Sequence, residues 1–329
     1  MLGLLTSALL LCPVWAQTQD ELSIPTAQAP LLAEVPDDSY QISEFEWTDL
    51  SRQRAVPVRL YWPSHLGADA KPALVVFSHG IGGSRRGYTY LGAYWASQGY
   101  ASLHLQHVGS DRQLWIGNPF GLPGRLQGAA QDGEAISRVQ DLHFALDQFL
   151  ASPLGRQIDA RRIIAAGHSY GANTTLLAIG AKVERKGVLL DFRDRRIQAA
   201  VLLSSPPFYG QADLARILAG VSVPSLHITT TEDVIRVPGY RSEANDRIAI
   251  FDATGGLRKT LVVFQGGSHS IFTDRGRTGG VSLNPKVKTA TRELTLNFFR
   301  SVFDGIDGPL QQWVQLNKGL LARYVSGGT

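Results

Sequence analysis

Hydrophobic positions along this chain follow two rhythms. Residues 40–48 (YQISEFEWT) and 55–62 (AVPVRLYW) alternate apolar and polar side chains, which predicts an antiparallel hairpin at a sheet edge, where Pro57 is tolerated. Beyond residue 70 the rhythm changes. Residues 73–77 (ALVVF), 163–166 (IIAA), 197–203 (IQAAVLL) and 261–264 (LVVF) are short, nearly unbroken apolar runs of the kind buried on both faces of a parallel sheet. Residues 100–105 and 225–230 read as further strands. Between these runs, apolar residues at helical spacing predict helices over 88–98, 132–150, 212–219, 292–303 and 308–324, and one that leaves Ser169. No break in composition divides the chain, so the alternation predicts one α/β domain over residues 39–329.

The passage from strand to helix at residues 161–180 (RRIIAAGHSYGANTTLLAIG) carries the candidate chemistry. Gly167-His168-Ser169-Tyr170-Gly171 is a G-x-S-x-G pattern in the setting it requires, a strand, one sharp turn and a helix. The turn leaves little room two residues to either side of the serine, which the two glycines satisfy. Ser169 is therefore the candidate nucleophile, standing at a helix N-terminus that favours developing negative charge.

An acid and a base follow in chain order. Asp233 lies just past the strand at 225–230, where a carboxylate can reach a histidine; Glu232 is the alternative, and Asp246 and Asp252 are weaker. His269 sits on a glycine-rich loop (QGGSHS) after the strand at 261–264, a setting that suits a general base better than a core residue. His168 cannot fold back onto the hydroxyl of its neighbour and is expected to pack or to support. The strand at 73–77 empties into Ser78-His79-Gly80-Ile81-Gly82-Gly83. Glycines there allow backbone amides to approach a ligand, which makes the amides of Ile81 and Tyr170 candidate oxyanion donors.

Other polar residues change the picture less. Arg85 and Arg86 are either an anion-steering pair or solvated surface arginines. His104 and His107 stand three apart but lack an accompanying carboxylate set, so no metal site and no cofactor is expected. Residues 109–128 read as a long loop leaving a strand end, with Trp115 and Phe120, and with Phe208 on another rim loop, as candidate pocket residues. Arg138 and Asp141 are expected to pair at i, i+3 on a helix surface.

With 329 residues, 44% of them hydrophobic, the chain can bury a large core; its net charge of +4 is scattered, which argues against a nucleic-acid partner. Residues 1–16 (MLGLLTSALLLCPVWA) form an apolar run too short to span a bilayer, and small residues, Val14 and Ala16, stand where a signal peptidase reads. The expectation is a cleaved signal, a secreted or periplasmic protein without stable membrane insertion, and a linker or strap over 17–38. Lipidation at Cys12 is disfavoured by the bulk of Leu11. Cleavage would remove the only cysteine, and with it disulfides and a cysteine nucleophile.

The order Ser169, Asp233, His269 behind a glycine loop resembles an α/β-hydrolase over roughly residues 55–303. More narrowly, FSHGIGG, LQHVGSD, Arg138-x-x-Asp141 and AGHSYGA resemble the dienelactone-hydrolase-like group, which includes platelet-activating-factor acetylhydrolases and bacterial polyester hydrolases. The resemblance implies an α/β-hydrolase fold, a single domain with a mostly parallel central sheet, an N-terminal antiparallel edge hairpin and helices on both faces. It further implies a cofactor-free serine esterase acting on a small-molecule or lipid ester. Dienelactone hydrolases proper use cysteine where Ser169 stands, so lactone specificity is not carried over. Two alternatives stay open: a hydrolase-like binding protein without turnover, and a same-triad hydrolase of amides, thioesters or polyesters. Oligomeric state is open as well.

Overall fold

The computed structural model describes residue 32 and residues 34–327, Ala68, Gln211 and Pro238 excepted. The signal expected at 1–16, its cysteine and most of the strap at 17–38 lie outside the described residues. β1 (Tyr40–Asp49) and β2 (Arg54–Pro63) form the expected hairpin, with Tyr40 opposite Pro63 and Asp49 opposite Arg54. Then come β3 (Ala73–Ser78), α1 (Thr89–Ser97), β4 (Tyr100–Leu105), α2 (Leu122–Ala129), α3 (Asp132–Ala151), β5 (Ile163–His168) and α4 (Tyr170–Ala178). A small hairpin, β6 (Lys182–Arg185) with β7 (Val188–Asp191), precedes β8 (Ile197–Leu203), α5 (Leu214–Leu218) and β9 (Ser225–Glu232). A second small hairpin, β10 (Ile235–Val237) with β11 (Tyr240–Ser242), leads to α6 (Ala244–Ala253) and β12 (Lys259–Ser268). The chain ends in α7 (Leu283–Asp304), α8 (Gly308–Asn317) and β13 (Leu321–Ser326).

One nine-stranded sheet runs β1-β2-β4-β3-β5-β8-β9-β12-β13. Its six central strands are parallel, while β1, β2 and β13 are antiparallel at the two edges. Alternation along β3 divides the core. Leu74 and Val76 pack with Val139, Leu142 and Leu146 of α3 and Leu176 of α4 on one face; Val75 and Phe77 pack with Leu91 and Trp95 of α1 and Leu294 and Phe299 of α7 on the other. Burial on both faces is why these runs are apolar at every position rather than at every second one. With the central strands parallel, their carboxyl ends share one rim, where ligand sites of open α/β sheets form.

Four segments differ from expectation. Residues 265–268, expected as a glycine-rich loop, continue β12 through a register shift at the positive-φ Gly266 and Gly267, and His269 opens a short 3-10 turn, His269–Phe272. Residues 308–324 are not one helix: α8 stops at Asn317, and β13 pairs with β12. Gly319 weakens a helix, and the open edge of β12 offers ladder partners that the segment takes up. Residues 109–128 are not a plain loop: short 3-10 turns at Arg112–Trp115 and Pro119–Gly121 lead into α2. The prolines that suggested loop sit in first turns, where a missing N–H costs nothing, and the Asn118 side chain accepts from Phe120 N. The helix expected at 292–303 starts earlier, at Leu283, with Pro285 in its first turn. No helix among the described residues is long and apolar enough to cross a membrane.

Candidate active site

β5 ends at His168 and α4 begins at Tyr170, so the chain must reverse within Ser169. Its backbone takes φ 55°, ψ −121°, which is strained for a residue with a side chain. The flanking glycines make that turn possible. A Cβ on Gly167 would lie 2.2 Å from the Gly171 oxygen, and one on Gly171 would lie 1.9 Å from the Ser78 oxygen. Either substitution would push α4 off the sheet.

From this elbow a line of hydrogen bonds crosses the rim. Ser169 Oγ lies 2.8 Å from His269 Nε2, and His269 Nδ1 lies 2.7 Å from Asp233 Oδ1. An ionised carboxylate only accepts, so Nδ1 carries the imidazole proton and Nε2 is left to accept from the serine. Asp233 is buried and also accepts from Thr229 Oγ1 at 2.6 Å and from Arg247 Nη2 at 3.2 Å. Burial alone would raise its pKa; the hydrogen bond and charge of His269 and the charge of Arg247 outweigh it and hold the carboxyl below the ordinary carboxylate range. Glu232, the alternative acid, is exposed, and Asp246 instead caps α6 by accepting from Glu243 N.

His168 supports from behind. Its Nε2 lies 3.0 Å from the His269 carbonyl oxygen, which can only accept, so its Nδ1 accepts from Tyr88 Oη at 2.8 Å. Burial and the charge of nearby His269 push His168 down to about 3, so it stays neutral near neutral pH. The Tyr88 hydroxyl in turn accepts from Gly80 N at 3.3 Å. One neutral chain thus links the loop after β3 to the backbone of His269.

The candidate oxyanion amides belong to Ile81 on that loop and to Tyr170 at the start of α4. Neither is taken up by a turn or loop acceptor among the described residues. A buried arginine ties the two segments together. Arg138 donates to the His79 carbonyl, to Ser110 Oγ at 2.8 Å and to Thr174 Oγ1 of α4 at 3.0 Å, and its guanidinium lies 4.5 Å from the Tyr170 ring centre. The expected surface pair of Arg138 with Asp141 is therefore wrong. Both are fully buried; Asp141 accepts instead from Arg52, Arg54 and His107 Nδ1, because β2 and the strand-end loops, not solvent, cover that face of α3.

In front of Ser169 opens a cavity of about 860 Å³. Ile81, Ser169, Tyr170 and His269 line it together with Trp115, Leu126, Leu177, Phe208, Tyr209 and Val237. Of the three expected pocket residues, Trp115 and Phe208 are thus at the cavity and Phe120 is not. Phe120 is 94% exposed, because the 3-10 turn at Pro119–Gly121 turns it outward. Trp115 is pinned by Nε1 to the Gly82 oxygen at 2.8 Å. Arg85 and Arg86 do not face the cavity: Arg85 pairs with Glu44 and Glu46, and Arg86 with Glu44. His104 stacks on Phe77 and packs against a tilted Tyr61, and His107 bridges Asp141 and Ser78 Oγ.

Sequence reasoning missed Arg247, Thr229, Tyr88 and the β10–β11 hairpin at the cavity wall. Arg247 left a trace: with Ile250 and Phe251 it forms the buried i, i+3, i+4 stripe of α6, an odd place for a charge without a partner. Tyr88 left none, since its role depends on the approach of a residue 80 positions away.

The family described as platelet-activating factor acetylhydrolase, isoform II, matches residues 12–112. A platelet-activating factor acetylhydrolase of Cavia porcellus is 25% identical over 42% of this chain, which spans only 38% of that relative. Among solved structures, a ferulic acid esterase from Streptomyces cinnamoneus superposes with a TM-score of 0.62 at 20% identity, over 86% of this chain and 95% of the other. A cold-adapted esterase from an Arctic intertidal metagenomic library gives 0.51 at 20% identity, over 70% and 87%. The strand order, the serine turn at the carboxyl end of β5 and these structural neighbours identify the chain as a protein of the α/β-hydrolase fold, similar over part of its length to platelet-activating factor acetylhydrolases.

Proposed function

We propose that the protein is a serine carboxylic ester hydrolase working through an acyl-enzyme. The observation that carries this is the unbroken line Ser169 Oγ, His269, Asp233 opening onto a cavity lined largely by apolar side chains. His269 Nε2 takes the serine proton as Oγ attacks the ester carbonyl carbon. The carbonyl electron pair moves onto oxygen, where the amides of Ile81 and Tyr170 receive it. Collapse expels the alcohol, which leaves with the proton from His269. Water then attacks the acyl-enzyme, gives its proton to the same nitrogen, and the carboxylic acid departs as Ser169 recovers its hydrogen. Asp233 stays ionised throughout and stabilises the imidazolium.

A cavity of this size fits a drug-sized ester. Trp115, Phe208 and Leu177 offer apolar contact to an acyl or alcohol group of several carbons. The N-terminal pattern supports a secreted or periplasmic enzyme. Hydrolysis of a short-chain p-nitrophenyl ester by wild type and by Ser169→Ala tests the proposal. Turnover should fall to background in the variant; equal rates would remove Ser169 from the mechanism.

A further inference from the structure

The loop after β3 is held peptide by peptide, and one imidazole decides the direction of the amide that matters. His79 is buried between β3 and the 107–111 loop. Its Nε2 lies 3.1 Å from the backbone nitrogen of His107, and a backbone N–H can only donate. Nε2 must therefore be the bare nitrogen. Burial, Arg138 and His107 hold His79 well below the ordinary histidine range, so the ring is neutral and carries a single proton. That proton sits on Nδ1, 2.7 Å from the Gly80 carbonyl oxygen, to which Gly83 N–H also donates at 3.0 Å.

Two donors thus grip the carbonyl of the Gly80–Ile81 peptide. In a trans peptide the C=O and N–H point in opposite directions, so fixing the oxygen aims the Ile81 N–H the other way. Ile81 lines the cavity, and a Cβ on Gly80 would lie 3.2 Å from Ser169 Cβ, so this peptide abuts the serine. The preceding peptide is clamped as well, with Arg138 on its carbonyl and Tyr88 on its N–H. Glycine at 80 and 82 leaves the loop otherwise free to flip.

We infer that His79 is the positioning residue of the oxyanion site: through Nδ1–H it holds the Gly80 carbonyl so that the Ile81 amide faces the oxygen of an ester bound against Ser169. This rests on the serine-esterase proposal. It adds that one donor of the oxyanion site is preorganised by a neutral histidine of fixed tautomer, which touches neither substrate nor triad.

Two substitutions separate this role from simple packing. The amide of asparagine reaches the Nδ1 position and can donate to the Gly80 oxygen; the amide of glutamine reaches the Nε2 position and can only serve the His107 N–H. In p-nitrophenyl ester hydrolysis, His79→Gln is expected to lower kcat per folded enzyme about 10²-fold, the cost of one oxyanion donor, with KM changed less than about threefold. His79→Asn should recover at least about tenfold of that kcat. A purely structural histidine would give the reverse order or equal losses, and either result overturns the assignment. Ser169→Ala in the same assay keeps the two ideas apart. Turnover independent of Ser169 sinks the esterase proposal, whereas Ser169-dependent turnover with asparagine no better than glutamine sinks the role of His79 alone. Should both variants fail to fold, long-range ¹H–¹⁵N spectra of the wild-type protein decide. Protonation of His79 at Nδ1 supports the assignment, and protonation at Nε2 overturns it.

Discussion

The two sides of the candidate site are built differently. On the side of Ser169, His269 and Asp233, the side chains proposed to react stand just past strand ends, and each is held by one to three side-chain hydrogen bonds. On the side of Ile81, the amide at the surface is backed by a buried lattice: His79, His107, Ser78, Arg138 and Asp141, with Arg52 and Arg54 of the edge hairpin closing it. The first side needs mobile protons and therefore side chains at a cavity. The second needs only a fixed dipole, and rigidity comes from burying charges that satisfy one another. Under the proposed mechanism, transition-state charge would be met by groups that need not move when it appears.

The contrast can be tested from its strongest member downward. Asp233→Asn leaves size and burial intact but removes the negative charge and lets an amide N–H face His269 Nδ1, which favours the wrong imidazole tautomer, so kcat should fall about 10⁴-fold with the fold preserved, as read by ester hydrolysis alongside circular dichroism. A loss below tenfold would mean that Asp233 does not orient the base. On the lattice side the largest effect should be on stability instead. Asp141→Ala leaves Arg52 and Arg54 facing a buried gap and takes the acceptor from His107, and should cost about 3–5 kcal/mol in urea unfolding. Unchanged stability there would make the lattice incidental.

Acid should weaken the molecule through groups the reaction does not use. Burial, first among the causes in each case, holds His104, His107, His168 and His227 down to about 3. Their folded values lie below the unfolded value of about 6.5, so between those limits the unfolded chain binds more protons. Stability is then full above about pH 6.5 and is lost as pH falls toward 3, by up to about 1.4 kcal/mol per pH unit for each group. Urea unfolding at pH 7.5 and 5.0 checks this, and equal free energies would mean that these rings are not buried neutral. The smallest effect is expected at the outward-turned aromatic. Phe120→Ser should change stability by no more than about 0.5 kcal/mol and leave kcat and KM for a long-chain ester unaltered. A raised KM there would bring Phe120 back to the pocket.

Much of the candidate catalytic side is legible along the chain. The glycines around Ser169, the carboxylate past β9 and the histidine just past the glycine-rich end of β12 are local signals, because a sharp turn and a strand end each constrain residues within a few positions. The alternating hairpin and the apolar runs likewise mark their strands, since burial on one face or two imprints a period. The lattice is different. Arg138 and Asp141 lie three apart on a helix and read as a surface pair, yet each finds its partners 28 to 89 residues away. Phe120, β13 and α2 are not legible along the chain for the same reason: whether an aromatic points inward, or a segment joins a sheet edge, depends on what is folded against it. The sequence determined which residues can carry the chemistry and the order of strands and helices, because those follow from local sterics and periodicity. Only the tertiary structure decided which polar groups meet in the interior, because a buried hydrogen bond or ion pair is specified by distance in space and not by spacing along the chain.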